Sequence, residues 1–95
     1  MNYNEVLDLA FKICRASRVA KTAAGWKDKT VLTDAAIGNE PDGEVDTAVQ
    51  AWLYSGLPIP KDIKDMVIEY ATKVMLPDDE LRQRVFDTLK DIPVG

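Results

Sequence analysis

Six carboxylates in two groups are the side chains of this 95-residue chain best placed to do chemistry. Asp62, Asp65 and Glu69 recur on one side of a predicted helix, and Asp78, Asp79 and Glu80 are consecutive. Paired carboxylates perform general acid–base work when a pocket raises the pKa of one of them. Helix caps and first turns, where the helix dipole favours negative charge, already account for most of these positions. Residues 39–46, with the sequence NEPDGEVD, have the composition of a calcium loop. Placing Gly43 at the loop's glycine puts Gly38 at the first ligand position and Val49 at the last, and neither offers a side-chain oxygen. The chain contains no histidine, which removes the commonest general base and metal ligand together with Ser-His-Asp and Cys-His catalysis. Its single cysteine, Cys14, stands among Leu9, Ala10, Phe11 and Ile13 and reads as a buried thiol. One cysteine can neither close an internal disulfide nor supply zinc with its nitrogen and sulfur ligands. The expectation is a protein with no catalytic residue, no metal and no cofactor, and not an enzyme.

Charge is distributed unevenly around a net −4. Residues 12–29 hold six bases (Lys12, Arg15, Arg18, Lys21, Lys27, Lys29) and one acid, Asp28. From residue 30 onward there are thirteen acids and six bases. The basic stretch includes Trp26, on which a nucleic-acid base could stack. The acidic total and the lack of a helix-turn-helix with a basic second helix argue against sequence-specific nucleic-acid binding. A basic end on an acidic body suits head-to-tail contact with further copies or with a charged protein partner. The alternative is a solvated helix face. No apolar run is long enough to cross a membrane. The N-terminal MNYNEVLDLAFKICR has early acids in place of a basic leader, which points to the cytoplasm.

These side chains have to be positioned by helices. The chain reads as one all-α domain over residues 1–95, a compact bundle of about four helices with one irregular segment between the first and the second. The first helix is predicted over 4–20, capped by Asn4, with an apolar stripe of Val6, Leu7, Ala10, Phe11, Ile13 and Cys14. Residues 22–43 are punctuated by Gly25, Gly38, Pro41 and the turn dipeptide Asp42-Gly43. A short helical turn over 33–37, capped by Thr33 and stopped by Gly38, and an extended 30–32 fit inside that segment. The second helix is predicted over 44–55, buried through Val45, Ala48, Val49 and Trp52. Gly56 then supplies a left-handed cap, closed by Leu57. Pro58 bars continuation, and Pro60 opens the third helix, predicted over 60–75. There Ile63, Met66, Val67, Tyr70, Ala71, Val74 and Met75 repeat at helical spacing. Asp78 or Asp79 caps a fourth helix over 79–91, with Leu81, Val85, Leu89 and Ile92 on one face. The expected centre of the core is Phe11, Trp52, Val67, Tyr70 and Leu89.

Several large apolar residues fall off these stripes. Ile68 lies opposite the buried face of its helix, Phe86 beside its own, and Leu53 and Tyr54 flank Trp52. A short chain cannot cover every large side chain, so such residues mark a partner surface. With the cations they make a candidate interface of Lys12, Arg15, Arg18, Trp26, Leu53, Tyr54, Ile68 and Phe86. The competing reading is a second internal contact, such as Trp26 folded over Phe86.

Taken in order, AWLYSGLPIP, KDIKDMVIEYATKVMLP and DDELRQRVFDTLKDI resemble the helical core of the head–tail adaptor proteins of tailed phages. These are the head-completion, packaged-DNA-stabilising proteins that ring the portal. The opening NEVLDLAFKICRA is similar to their first helix, so the likeness covers 4–16 and 51–89. Two features depart from it. Pro60 starts the next helix without an intervening loop, and the chain ends at Gly95 where many members carry a long arm. The resemblance implies a non-enzymatic virion assembly protein, a connector whose copies form a homo-oligomeric ring on the portal or a neighbouring virion protein. It would be found in the host cytoplasm and then in the virion. A small acidic inhibitor or regulator, presenting carboxylates to a nucleic-acid-handling enzyme, is the reading from a different class.

Overall fold

The computed structural model describes residues 1–26 and 34–95. α1 spans Tyr3–Ala16, and its cap is Asn2, two residues before the Asn4 expected from sequence. Asn2 stands three residues before Glu5, the spacing of a reciprocal cap. Its side-chain oxygen accepts from the Glu5 amide at 2.9 Å, and its amide nitrogen donates to Glu5 Oε1 at 2.8 Å. The first helix does not run straight to residue 20. It bends at Ser17, whose hydroxyl donates to the Cys14 carbonyl at 2.6 Å while its amide is shared between the Ile13 and Cys14 carbonyls. Such back-bonding bends helices. A second piece, α2, covers Arg18–Ala23 and ends at Gly25, with φ of 78°.

Helix takes up more of residues 22–43 than the sequence suggests. α3 spans Asp34–Asn39, so the helix runs through Gly38 instead of stopping there. The expected cap Thr33 and the expected extended stretch 30–32 lie outside the described residues. α4 spans Pro41–Ser55, and the Asp42-Gly43 dipeptide lies in its first turn, not in a loop. Proline at the first helical position is pre-organised for a helix, and Asp42 and Glu44 complement the N-terminal dipole. Together these outweigh the local turn signal.

The corner after α4 is built as expected. Gly56 adopts φ of 73°, and Leu57 packs against the core. Pro60 stands one position earlier than expected, as the cap of α5 (Lys61–Lys73), its carbonyl accepting from the Lys64 amide at 2.9 Å. Asp79 caps α6 (Glu80–Lys90) by accepting from the Leu81 amide at 2.9 Å. The C-terminal tail then returns to the corner. The Ile59 amide donates to Pro93 O at 2.8 Å and the Gly95 amide to Ile59 O at 2.9 Å, a single parallel bridge between Ile59 and Val94. Ile59 is fully buried between two prolines, so this bridge satisfies both of its peptide groups.

With α1 and α2 taken as one bent helix, the molecule is an all-α bundle. α4 is its central helix, packed against α1, α2, α3 and α6, while α1 also lies on α5 and α5 on α6. Trp52, Val67, Tyr70 and Leu89 are in the core as expected. Phe11 is not. It is half-buried with the Arg15 guanidinium 5.2 Å from its ring, and Leu9, Ala10, Ile13 and Cys14 are the residues α1 buries. Among the described residues no helix is long and apolar enough to cross a membrane.

Candidate functional site

The bent α1–α2 arm displays Lys12, Arg15 and Arg18 on the surface. Lys12 pairs with Asp8 at 3.0 Å, both side chains mostly in solvent, so the pair adds little stability and leaves the cation accessible. Lys21, read from its spacing as one more surface cation, is instead 1% exposed. Its amine lies in the field of Cys14, Glu44 and Arg18, and burial lowers its pKa from the ordinary lysine value.

Of the apolar candidates, two meet. The Trp26 and Tyr54 rings stand 5.8 Å apart at 48°, joining the end of the arm to the end of α4. The internal contact of the competing reading, Trp26 over Phe86, is replaced by Trp26 on Tyr54, and Phe86 packs under the Arg82 guanidinium at 5.6 Å. Tyr54 remains 66% exposed and Ile68 37%, whereas Leu53, Trp26 and Phe86 are half-buried against the core. The eight candidates therefore do not form one apolar patch. They divide between a cationic arm closed by an aromatic pair and separate positions on α4 (Leu53), α5 (Ile68) and α6 (Phe86).

The N-terminal turns of α4 and α6 open beside each other. One cleft of about 510 Å³ is lined by Asp79, Glu80, Leu81 and Arg84. A second, of about 400 Å³, is lined by Asn39, Glu40, Pro41, Asp42, Gly43 and the same Leu81. Two residue pairs hold this end together. Arg84 grips the nearly buried Asp46 with both forks, Nε to Oδ1 at 3.2 Å and Nη2 to Oδ2 at 2.6 Å. Those hydrogen bonds and the carboxylate's charge hold the guanidinium protonated still more firmly than usual. The fully buried Tyr70 donates to Asp42 Oδ1 at 2.5 Å, and burial followed by that bond pushes its phenol far above the ordinary tyrosine range. Residues 41–46 are thus the start of α4, pinned to α5 by Tyr70 and to α6 by Arg84, not a cation loop. Asp62, Asp65 and Glu69 lie on the exposed side of α5, where Lys61 pairs with Asp65 and Lys73 with Glu69.

Sequence reading missed the buried polar groups: Lys21, the Asp46–Arg84 clamp, the Tyr70–Asp42 bond, and a Trp52 indole N–H with no hydrogen-bond partner among the described residues. Tyr70 and Asp42 are 28 residues apart, and Asp46 and Arg84 are 38. No local pattern connects partners so far separated. The fold is that of an all-α bundle. The chain matches no known protein family, no curated protein and no solved structure.

Proposed function

We propose that the protein is a non-enzymatic assembly module of the head–tail adaptor kind, a connector whose copies dock on one another and on a portal or neighbouring virion protein. The observation that carries this reading is the segregation of surface charge. Exposed Lys12, Arg15 and Arg18 lie along the α1–α2 arm, while Glu40, Asp42, Asp79 and Glu80 line the two clefts at the start of α4 and α6 beside one cation, Arg84, which is paired with Asp46. Arm against cleft is a contact between two different surfaces of one chain, and contacts of that kind close into rings when the rotation between neighbours permits. Complementary charge sets the register and speeds encounter more than it raises affinity.

Charge exchange tests this reading. Lys12→Glu with Arg18→Glu abolishes assembly, as does Asp79→Lys with Glu80→Lys. Mixing the two variants restores hetero-assembly, seen as a defined complex by native mass spectrometry. Failure of the mixture to associate, with both variants folded, rejects the arm-to-cleft contact. The inhibitor reading rests on the same acid-lined clefts, taken as a mimic of a phosphate backbone. It requires a stable one-to-one complex with a nucleic-acid-handling enzyme that free nucleic acid displaces.

A further inference from the structure

The two clefts meet at Leu81. On α4 Asp46 and Gln50 are four residues apart, and their partners on α6, Arg84 and Thr88, are four apart in the same order. The two helices therefore run parallel, with both first turns at one end of the bundle. Leu81 is half-buried against the core and lines both clefts, with Asp79 and Glu80 beside it in one and Glu40 and Asp42 in the other. Arg84 is the one cation that lines them, and its charge is already met by Asp46. An apolar centre flanked by acids is thus open to solvent between two helix starts.

The arm carries the complement. Ser17, Ala20 and Lys21 turn into the bundle and hold α2 on α4, yet Val19 on the other side is 58% exposed. A β-branched residue loses side-chain freedom in a helix, and here no burial offsets that loss. The backbone stays right-handed through Ser17, at φ −75° and ψ −6°, so side-chain rows carry across the bend. Arg15, Val19 and Ala23 form one exposed row at four-residue spacing, and Arg18 and Thr22 form the next. Such rows seat in the grooves of other helices. Other large exposed apolar side chains lack this setting. Tyr54 is engaged with Trp26, and Ile68 stands beside the ion pairs Lys61–Asp65 and Lys73–Glu69, which carry no net charge toward an acidic groove.

We infer that Val19 of one copy seats on Leu81 of the next, with Arg15 and Arg18 beside it facing the carboxylates of Glu40, Asp42, Asp79 and Glu80. The inference rests on the assembly reading and adds to it an apolar anchor and a register. Binding between proteins concentrates in a small desolvated centre that surrounding polar groups shield from water. Val19 on Leu81 is that centre, and the opposed charges are its rim.

Cysteine placement tests the seat. A chain carrying Val19→Cys is mixed with one carrying Leu81→Cys and oxidised at low salt. The native Cys14 is fully buried and takes no part. A covalent heterodimer forms at least 10-fold faster than dimers of either chain alone, and at least 10-fold faster than in a mixture of Ile68→Cys with Leu81→Cys. Equal crosslinking of Val19→Cys to itself overturns the proposal, because it needs copies related by a two-fold axis and not head to tail. A second variant leaves Leu81 untouched. Val19→Ala places a better helix former in the arm, so the fold is retained, and it weakens association at least 10-fold. An apolar contact is not screened, so that ratio holds as salt rises, while the loss caused by Lys12→Glu shrinks. Association unchanged by Val19→Ala rejects the anchor. The two levels of the claim fail differently. If the charge-exchanged variants reassemble but the Val19–Leu81 crosslink does not form, the anchor is wrong and the arm-to-cleft reading stands. If the charge-exchanged mixture does not associate, that reading falls and this inference falls with it.

Discussion

Cys14 and Lys21 are both withdrawn from water and titrate with opposite effects on stability. Burial pushes the Cys14 thiol up from 9.0 to about 12, with Lys21 pulling it back and Glu44 adding to the rise. Above pH 9 the unfolded chain ionises this thiol and the folded chain does not, so stability falls with rising pH, at most by about 1.4 kcal/mol per pH unit. Lys21 works the other way. Its folded pKa lies below the unfolded 10.5, so the folded chain releases that proton first and stability rises as the pH climbs toward 10.5. Urea midpoints across pH 7–11 separate the two. The advantage of Lys21→Met over wild type is greatest at pH 7 and shrinks toward pH 10. Cys14→Ala shows a weaker alkaline loss above pH 9. A constant gap for Lys21→Met across that range contradicts the burial of its amine. The same burial makes Cys14 unreactive, and a thiol reagent labels it only as fast as the core opens. Cys14 was legible in the sequence because its neighbours are apolar. Lys21 was not, because a lysine on a basic stretch looks the same whether its stem lies along solvent or is enclosed.

Helices are where the sequence was most informative, and their boundaries where it was least. The α5 stripe repeats at helical spacing over its whole length, and no competing pattern exists. At Asp42-Gly43 two local rules conflict, a turn dipeptide against Pro41 at a first helical position, and the packing of α4 along four neighbours decides for the helix. The Ser17 bend left no trace in the apolar pattern, since it depends on one hydroxyl turning back to one carbonyl. The tail bridge was equally hidden, because it joins residues far apart in the chain. Two predictions belong to these elements. Gly56→Ala lowers stability by about 1 kcal/mol, wholly through its left-handed backbone, since no atom lies within 4 Å of the added methyl. Removing residues 93–95 strips Ile59 of both backbone partners and costs about 2 kcal/mol. Thermal or urea denaturation measures each, and an unchanged midpoint after the tail deletion contradicts the bridge.

For the whole molecule, the all-α class and the uneven charge were readable from composition and spacing. The gathering of residues into surfaces was not. Expected as a single interface, the eight candidates separate in three dimensions: the cations follow a bent arm, and Trp26 closes on Tyr54. Ile68 and Phe86 stand on other helices. The opposing acidic surface comes from two helix N-termini that only the fold brings to a shared Leu81. Long-range charge attraction between such surfaces is screened within about 8 Å at physiological ionic strength, so assembly through them has to weaken as salt rises. The most direct test of the assembly account is the native mass of the purified protein at low and at high salt. The account predicts a defined oligomer at low salt that dissociates to the 10.6 kDa chain as salt is raised. A monomer under both conditions that stays monomeric with a portal protein present, or an oligomer indifferent to salt, would contradict it.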